Sequence, residues 1–539
     1  MTNGRIGAAS GYVEGASGGK LEGLSWRIQG TVKKAGNAQT ADYYLMNTGY
    51  SENDYSATLQ YDQPHYGASL YFSQFNTKIG IALASVADNA SDLQQLIARG
   101  RPPDNGFFRY AFGRPDQTVN HQLFKAGAYL NLPEGLGKLD AVYAYQRDTR
   151  KEYDANPADN SDTSLNTNGI PDLNFQLNTA TVDLVWEHRP IAGKIVGSIG
   201  FNFINHENIQ QGTAYQELIP NFADFGEGLF AIEKYAAGKW VLEAGARYDF
   251  RRLDVYKYDP TLVVEERPVY NWHEPTVNVG ATYKFSEHFS ADYNFGTAWR
   301  APQVIELFAN GVHQSAASWE FGDSSLTLEE AYNNNLSFSF NSKNLLIEAG
   351  GYVNYFHHYI YVQPDLSYIT TIEGTFPAFT YKQVNALFEG IDLTVNYTFV
   401  KNFTLISKTS IVRARNLAIH DWLINVPADR FDNSLRYEWP AVGKWKNIFI
   451  EANNLVVAKQ SRVPPNSDFA SPPPGYMLWG ASAGFSAPFA KHELKISLAV
   501  TNLTNVDYRD YLNQFRYYFA DLGRNVVLRV IVPFDIKRQ

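Results

Sequence analysis

The sequence predicts an all-β fold, a transmembrane antiparallel β-barrel of about 22 strands, and three observations predict it. Apolar and polar residues alternate over seven or more positions, again and again from end to end of the chain, as they do in strands with two unlike faces. Aromatic residues are abundant, 35 Tyr, 34 Phe and 10 Trp in 539 residues, while mean hydropathy is only -0.32. A membrane barrel sets amphipathic rings at both lipid-water boundaries and polar side chains along a wet lumen. Short and long connections also alternate, as tight periplasmic turns and extended extracellular loops do.

Taken in order, the first connection, Gly18-Gly19-Lys20, is short, so the first strand runs toward the periplasm. Asp62-Gln63-Pro64-His65 closes a later hairpin, and long polar loops follow from Lys78 to Asn120 and from Arg150 to Asn178. After the turn Ala236-Ala237-Gly238-Lys239, one face of a strand carries Leu242, Ala244, Ala246, Tyr248 and Phe250, and the other Glu243, Gly245, Arg247 and Asp249. Ser286-Glu287-His288 turns in the periplasm, and the loop from Ala298 to Glu329 lies outside. Leu336, Phe338 and Phe340 then alternate with Ser337, Ser339 and Asn341, up to the turn Asn341-Ser342-Lys343-Asn344. The cleanest strand sets Leu393, Val395, Tyr397 and Phe399 against Asp392, Thr394, Asn396 and Thr398. The loop from Val456 to Gly475 holds Pro464-Pro465 and Pro472-Pro473-Pro474, a stiff, extended segment suited to shaping an outer vestibule. Leu494, Ile496, Leu498 and Val500 share the face of another strand, and the last strand, Arg524 to Phe534, again runs toward the periplasm. About 21 strands can be counted. The first and last run the same way, so an antiparallel closure calls for one outward-running strand ahead of residue 1, which gives about 22. A barrel of that size encloses a lumen wide enough to need a plug.

The same reading excludes several classes. No stretch approaches the ~20 consecutive apolar residues of a membrane-spanning helix. The chain has no cysteine, so a disulfide scaffold and a thiolate metal site are out, and an oxidising compartment is compatible. A formal charge of -9 without a basic, aromatic-interleaved run argues against a nucleic-acid partner. Met1 to Arg5 shows no basic-then-apolar leader. No nucleophile-base pair or spaced carboxylate pair stands out, so no enzyme, no catalytic residue and no cofactor are expected. The rival classes are a passive diffusion channel and a soluble adhesin or sandwich. Strands of ten residues and more exceed the roughly five or six usual in soluble sheets.

Two passages resemble the TonB-dependent receptors. The first is Phe295-Gly296-Thr297-Ala298-Trp299-Arg300-Ala301-Pro302 with Glu306-Leu307-Phe308, Gly322-Asp323-Ser324-Ser325-Leu326 and Glu329-Glu330. The second is Thr501-Asn502-Leu503-Thr504-Asn505 with Tyr508-Arg509-Asp510-Tyr511 and Gly523-Arg524-Asn525-Val526. The resemblance spans residues 1–539 as a single barrel domain and implies a Gram-negative outer-membrane transporter for a scarce nutrient such as an iron-siderophore, haem or metal. It also implies outer-membrane lipid as surroundings and TonB as the energising partner, engaged through a plug. Since the chain opens on barrel-like strands, the expectation is a barrel with the plug absent, either truncated or completed by a separate chain; a passive channel or a non-functional truncated barrel is the alternative. Family barrels tend to end on an aromatic residue, whereas Phe534 is followed by Asp535-Ile536-Lys537-Arg538-Gln539.

Candidate binding residues follow from placement in outer segments. His313 and Glu320 share the loop between the halves of the first motif, and His206-Glu207 stands near the outer end of an outward-running strand. Neutral imidazole suits haem iron and Zn²⁺, but a metal needs three or four converging donors, and spacing alone identifies no metal set. Trp299, Arg300, Ala301, Pro302 and Glu329 are the family-motif residues; there Pro302, which has no backbone donor, ends the strand. His357 and His358 are expected on opposite faces.

Overall fold

In the computed structural model, which describes residues 3–153, 171–210, 218–259, 264–371 and 374–535, one sheet of 25 strands takes up the chain. Four are short pieces in outer loops: Val264–Glu266, Asn310–His313, Ser318–Phe321 and Asp421–Trp422. The other 21 form the wall, each antiparallel to its sequence neighbour. The first wall strand, Gly7–Ala16, pairs with Leu24–Ala35, and the last, Asn525–Ile531, pairs with His492–Thr501. These two edges run the same way, so one outward-running strand would be antiparallel to both. The terminal Ile536 to Gln539 and positions 154–170 of the loop expected from Arg150 to Asn178 lie outside the described residues.

The sheet curls until its first and last outer loops meet. The Asn3 backbone donates to Asn525 Oδ1 at 2.7 Å, Gly523 donates to the Gln39 carbonyl at 3.0 Å, and the Ala520 backbone donates to the Tyr43 hydroxyl at 2.9 Å.

Register shows how alternation becomes a membrane surface. Phe72, Phe124 and Tyr145 are cross-strand neighbours and all are exposed on the outward face. On each of their strands the outward positions on the periplasmic side are apolar or small, and those on the extracellular side are polar: Gln74 and Asn76, Gln122 and Asn120, Arg147 and Thr149. Leu59 and Leu70 form an exposed cross-strand pair within the apolar belt. The opposite face carries Arg247, which bonds Asp249 and, at 2.7 Å, Asn202 across the sheet. Apolar outward and hydrogen-bonded inward is the reverse of a soluble sheet, whose polar face meets bulk water.

The wall strands outgrow the bilayer. Leu345–Thr371 and Gly374–Val400 are 27 residues each, against the roughly 9–11 needed to cross. Their surplus rises outside and gives the loops a scaffold. Two helices sit there, where the periodicity marked none. Ala90–Arg99 is capped by Asn89, whose side chain accepts from the Asp92 backbone at 3.0 Å. It ends at Gly100, whose φ of 63° is the left-handed conformation that glycine adopts without strain. Its Leu93 and Leu96 are buried among loops. The second helix is Val304–Phe308.

Charge in the apolar belt should be costly. Leu70→Arg is expected to lower stability by about 2–4 kcal/mol, read as a lower urea midpoint for loss of heat-modifiable gel migration. Thr58→Arg, on the inward face of the neighbouring strand, should leave the midpoint nearly unchanged.

Candidate substrate vestibule at the outer mouth

The vestibule begins where Phe289–Arg300 leaves the wall. Ala301 and Pro302 are buried, and Pro302 stops the ladder. Gln303 then caps Val304–Phe308 in a reciprocal arrangement: Glu306 reaches back to accept from the Gln303 backbone at 2.7 Å. The same Glu306 oxygen accepts from Arg300 Nη1 at 2.7 Å. Arg300 also grips Glu329 with Nε and Nη2, at 3.2 and 3.1 Å, a fork on a carboxylate that fixes direction as well as distance. Glu329 in turn accepts from the Ile360 backbone at 2.7 Å. One guanidinium therefore ties the end of one strand, the start of the next and the helix between them, and its donors face protein carboxylates. Trp299 Nε1 donates to Asp249 Oδ2 at 3.4 Å.

Held at that point, the loop folds back against the inner wall. Val304, Leu307 and Leu326 pack with Phe222, Leu253, Val255 and Ile360; fully burying an aliphatic side chain is worth about 2 kcal/mol. Beyond the helix, Asn310–His313 and Ser318–Phe321 form a hairpin, and its second strand runs parallel to Ala378–Thr380 of the long strand.

The hairpin brings His313 and Glu320 together: Nδ1 lies 2.7 Å from Oε1. Glu320, 5% exposed, also accepts from the Tyr381 hydroxyl at 2.8 Å and from Ser318 at 3.3 Å. Burial pushes the Glu320 carboxyl up, but His313, Tyr381 and Ser318 outweigh it and hold the group below the usual carboxylate range. Burial beside this anion pushes the Tyr381 hydroxyl far up, so it stays a donor.

His206 and Glu207 do not act as a pair, because adjacent strand residues project to opposite faces. His206 is inward, level with Asp224 and edge-on to Phe222 at 5.2 Å. It lies beyond Phe203, the last apolar outward residue before Asn205 and Glu207. Burial holds its pKa below the ordinary histidine value, Arg251 adding to the effect and Asp224 opposing it. Asp224 receives a fork from Arg251 at 2.8 and 2.5 Å. Glu207 faces outward, where it accepts from Asn178 at 3.0 Å. Among the described residues no group of three or more His, Asp or Glu side chains converges on a metal position.

His357 and His358 correct the strict-alternation expectation. Their rings stack at 3.7 Å, because His358 has a φ of 58° at a register shift between Phe356 and Tyr359, and a bulge re-aims a side chain.

Sequence reasoning passed over the roof of the vestibule. Tyr517, Tyr518 and Phe519 are buried with Tyr43, Leu45, Leu93 and Leu96. The Tyr518 hydroxyl donates to the Ala317 carbonyl at 2.8 Å. Asp468, from the proline-rich loop, takes Arg516 at 2.9 Å and the Tyr517 hydroxyl at 2.5 Å. The available signal was the run Phe515-Arg516-Tyr517-Tyr518-Phe519, too aromatic for a solvated loop.

Residues 42–503 match the family model described as TonB dependent receptor-like, beta-barrel. Among solved structures, the copper transporter OprC superposes with a TM-score of 0.73 at 16% identity, over 98% of this chain and 81% of that one. The FrpB iron transporter from Neisseria meningitidis (F3-3 variant) gives 0.71 at 13% identity, over 98% and 79%. The siderophore receptor PirA from Acinetobacter baumannii gives 0.68 at 12% identity, over 97% and 78%. At these identities the likeness is one of fold.

Two outcomes follow. Glu320 contributes stability in full above the ordinary carboxylate pKa, and the contribution is lost as pH falls through its depressed folded value. Hydrogen exchange of residues 310–321, corrected for intrinsic rate, should therefore rise at acid pH. Glu320→Gln should lose the acid step and exchange about tenfold faster at neutral pH. Separately, Glu329→Gln should weaken the anchorage of the loop by about 2–3 kcal/mol, read as faster limited proteolysis within 301–328 while the wall strands remain protected.

Proposed function

The chain belongs to the TonB-dependent receptor β-barrel family, whose members are outer-membrane barrels, and we propose that it is the wall of a receptor-transporter that takes up a scarce metal nutrient as an organic complex. The observation that carries this reading is the ordered vestibule, a loop folded inward and clamped by Arg300 beneath an aromatic roof. Preformed concave surfaces with a few fixed polar groups suit a ligand with shape and hydrogen-bonding capacity of its own. Near the mouth, two inward arginines are each neutralised by an aspartate, Arg251 by Asp224 and Arg247 by Asp249, which favours a complexed metal over capture of a bare cation.

In this reading His206, neutral at physiological pH, presents imidazole from the wall, and the His313-Glu320-Tyr381 set orders the loop. Glu207, on the outer surface, is not assigned to the substrate. An iron-siderophore or haem fits these groups. Coupling to TonB is assigned to a plug element outside the barrel wall. The solved structures of similar fold include transporters of copper and iron and a siderophore receptor, which supports the substrate class without choosing within it.

The test is uptake. With its natural flanking sequence, the gene should restore accumulation of radioiron from at least one ferric siderophore or from haem in a strain lacking its own receptors, and deletion of TonB should abolish that gain. Steady ion conductance of the purified protein in planar bilayers, with no TonB-dependent uptake of any complex, would overturn the proposal in favour of a passive channel.

A further inference from the structure

The outer surface of the wall carries a second polar site, unconnected with the vestibule. On Asp116–Asn131 and Lys138–Tyr153, the outward residues just beyond Phe124 and Tyr145 are Gln122, Asn120 and Thr118 on one strand and Arg147, Thr149 and Lys151 on the other. Register places these six in two facing columns: Gln122 opposite Arg147, Asn120 opposite Thr149, and Thr118 opposite Lys151. Together they line a depression of about 320 Å³. Neighbouring amides hold the floor in place: Asn120 donates to Asn76 at 2.6 Å, Gln122 to Gln74 at 3.3 Å, and Gln74 to Asn76 at 2.8 Å.

Charge sets the patch apart. Neither Arg147 nor Lys151 makes an ion pair among the described residues; Arg147 donates only to the neutral Gln176, at 2.8 Å. The outward Lys78, level with Thr118 on the adjoining strand, is paired with Asp116, and farther round the rim the outward positions carry Glu207 and Glu227, so the cations without an ion pair are local to this stretch. Arg147 and Lys151 are four residues apart on one face of one strand, hence roughly 13 Å apart. The hydroxyls and amides between them form hydrogen bonds to neutral polyols as readily as to anions.

We propose that the surface formed by Thr118, Asn120, Gln122, Arg147, Thr149 and Lys151 binds the phosphorylated sugar headgroup of an outer-leaflet lipid. The position selects the source. The depression opens on the lipid-facing side, and the exposed rings of Phe124 and Tyr145 directly adjoin it, so a ligand seated there lies where headgroups lie and its acyl chains continue down Leu130, Tyr143 and Leu139. Cations at the two ends suit a headgroup carrying more than one phosphate, and the neutral donors between them suit its sugar hydroxyls. The inference rests on the orientation of the wall in the membrane and is independent of which nutrient is transported.

The experiment uses the full chain in lipid nanodiscs, with a diphosphorylated acyl-disaccharide lipid as probe and native mass spectrometry as readout. The double variant Arg147→Gln/Lys151→Gln should bind the probe about ten- to thirtyfold more weakly, while Arg147→Lys/Lys151→Arg retains binding. The dephosphorylated lipid should bind the native protein as weakly as the intact lipid binds the glutamine variant. Heat-modifiable migration confirms that each variant is folded, and nutrient uptake should be unchanged. Equal binding of the phosphorylated lipid to the native and glutamine-substituted proteins would overturn the proposal. So would displacement of the lipid by an equimolar amount of inorganic phosphate, which would mark a simple anion site.

Discussion

A bilayer offers no partner to a backbone amide, so each peptide group crossing it has to find one in the chain. The rest of this structure depends on that constraint. Strands must pair along both edges, the sheet must curl, and each strand then has one face toward lipid and one toward the interior. Leu70 and Leu59 are exposed because lipid is their solvent. Arg247 can face inward because Asp249 and Asn202 meet it there. The pairing rule also explains why a chain with low mean hydropathy still suits a membrane: only alternate residues, along only part of each strand, meet lipid.

Outside the bilayer the rule relaxes. The upper halves of Leu345–Thr371 and Gly374–Val400 stay paired, but their inner faces become a surface on which loops pack. There the aliphatic side chains of Val304, Leu307 and Leu326 bury themselves against Phe222, Leu253 and Val255. Arg300 decides where this begins. Without its bonds to Glu306 and Glu329, the start of the helix would be held to the wall mainly by apolar contact, which has little directionality. With them, entry angle and depth are fixed, and the hairpin carrying His313 and Glu320 follows in register.

The wall was legible because period-two alternation is written residue by residue; Leu393 to Phe399 and Leu242 to Phe250 disclose their faces without any partner. The odd strand number was legible for the same reason, since short and long connections fix direction. Convergence was not legible. His313 and Glu320 could be grouped because one loop holds both, whereas Tyr381, sixty-one residues beyond Glu320, joins them only through a parallel strand pairing. Glu207 could have been set apart from His206 by parity alone. The stacking of His357 on His358 could not have been foreseen, since a bulge interrupts the parity on which such a forecast relies. Ala90–Arg99 escaped notice because two buried leucines among polar neighbours leave too short a signal to separate a helix from a loop.

Period-two geometry also lets a single strand serve two environments at once, and Lys138–Tyr153 shows how charge is handled in each. Its inward acids and bases are matched: Asp148 lies 3.0 Å from His121 Nδ1, and Arg150 pairs with Glu152, which is 1% exposed. Its outward cations, Arg147 and Lys151, are left without counter-charges among the described residues. Matching matters most where burial is deepest, as at Glu152, because a buried ion without a partner keeps the cost of its desolvation. Outside, at the edge of the apolar belt, water and lipid phosphates both remain within reach, so a free cation costs little. Pairing within this strand therefore follows the solvent that each face meets, and the alternation that builds the wall also separates its two kinds of charge.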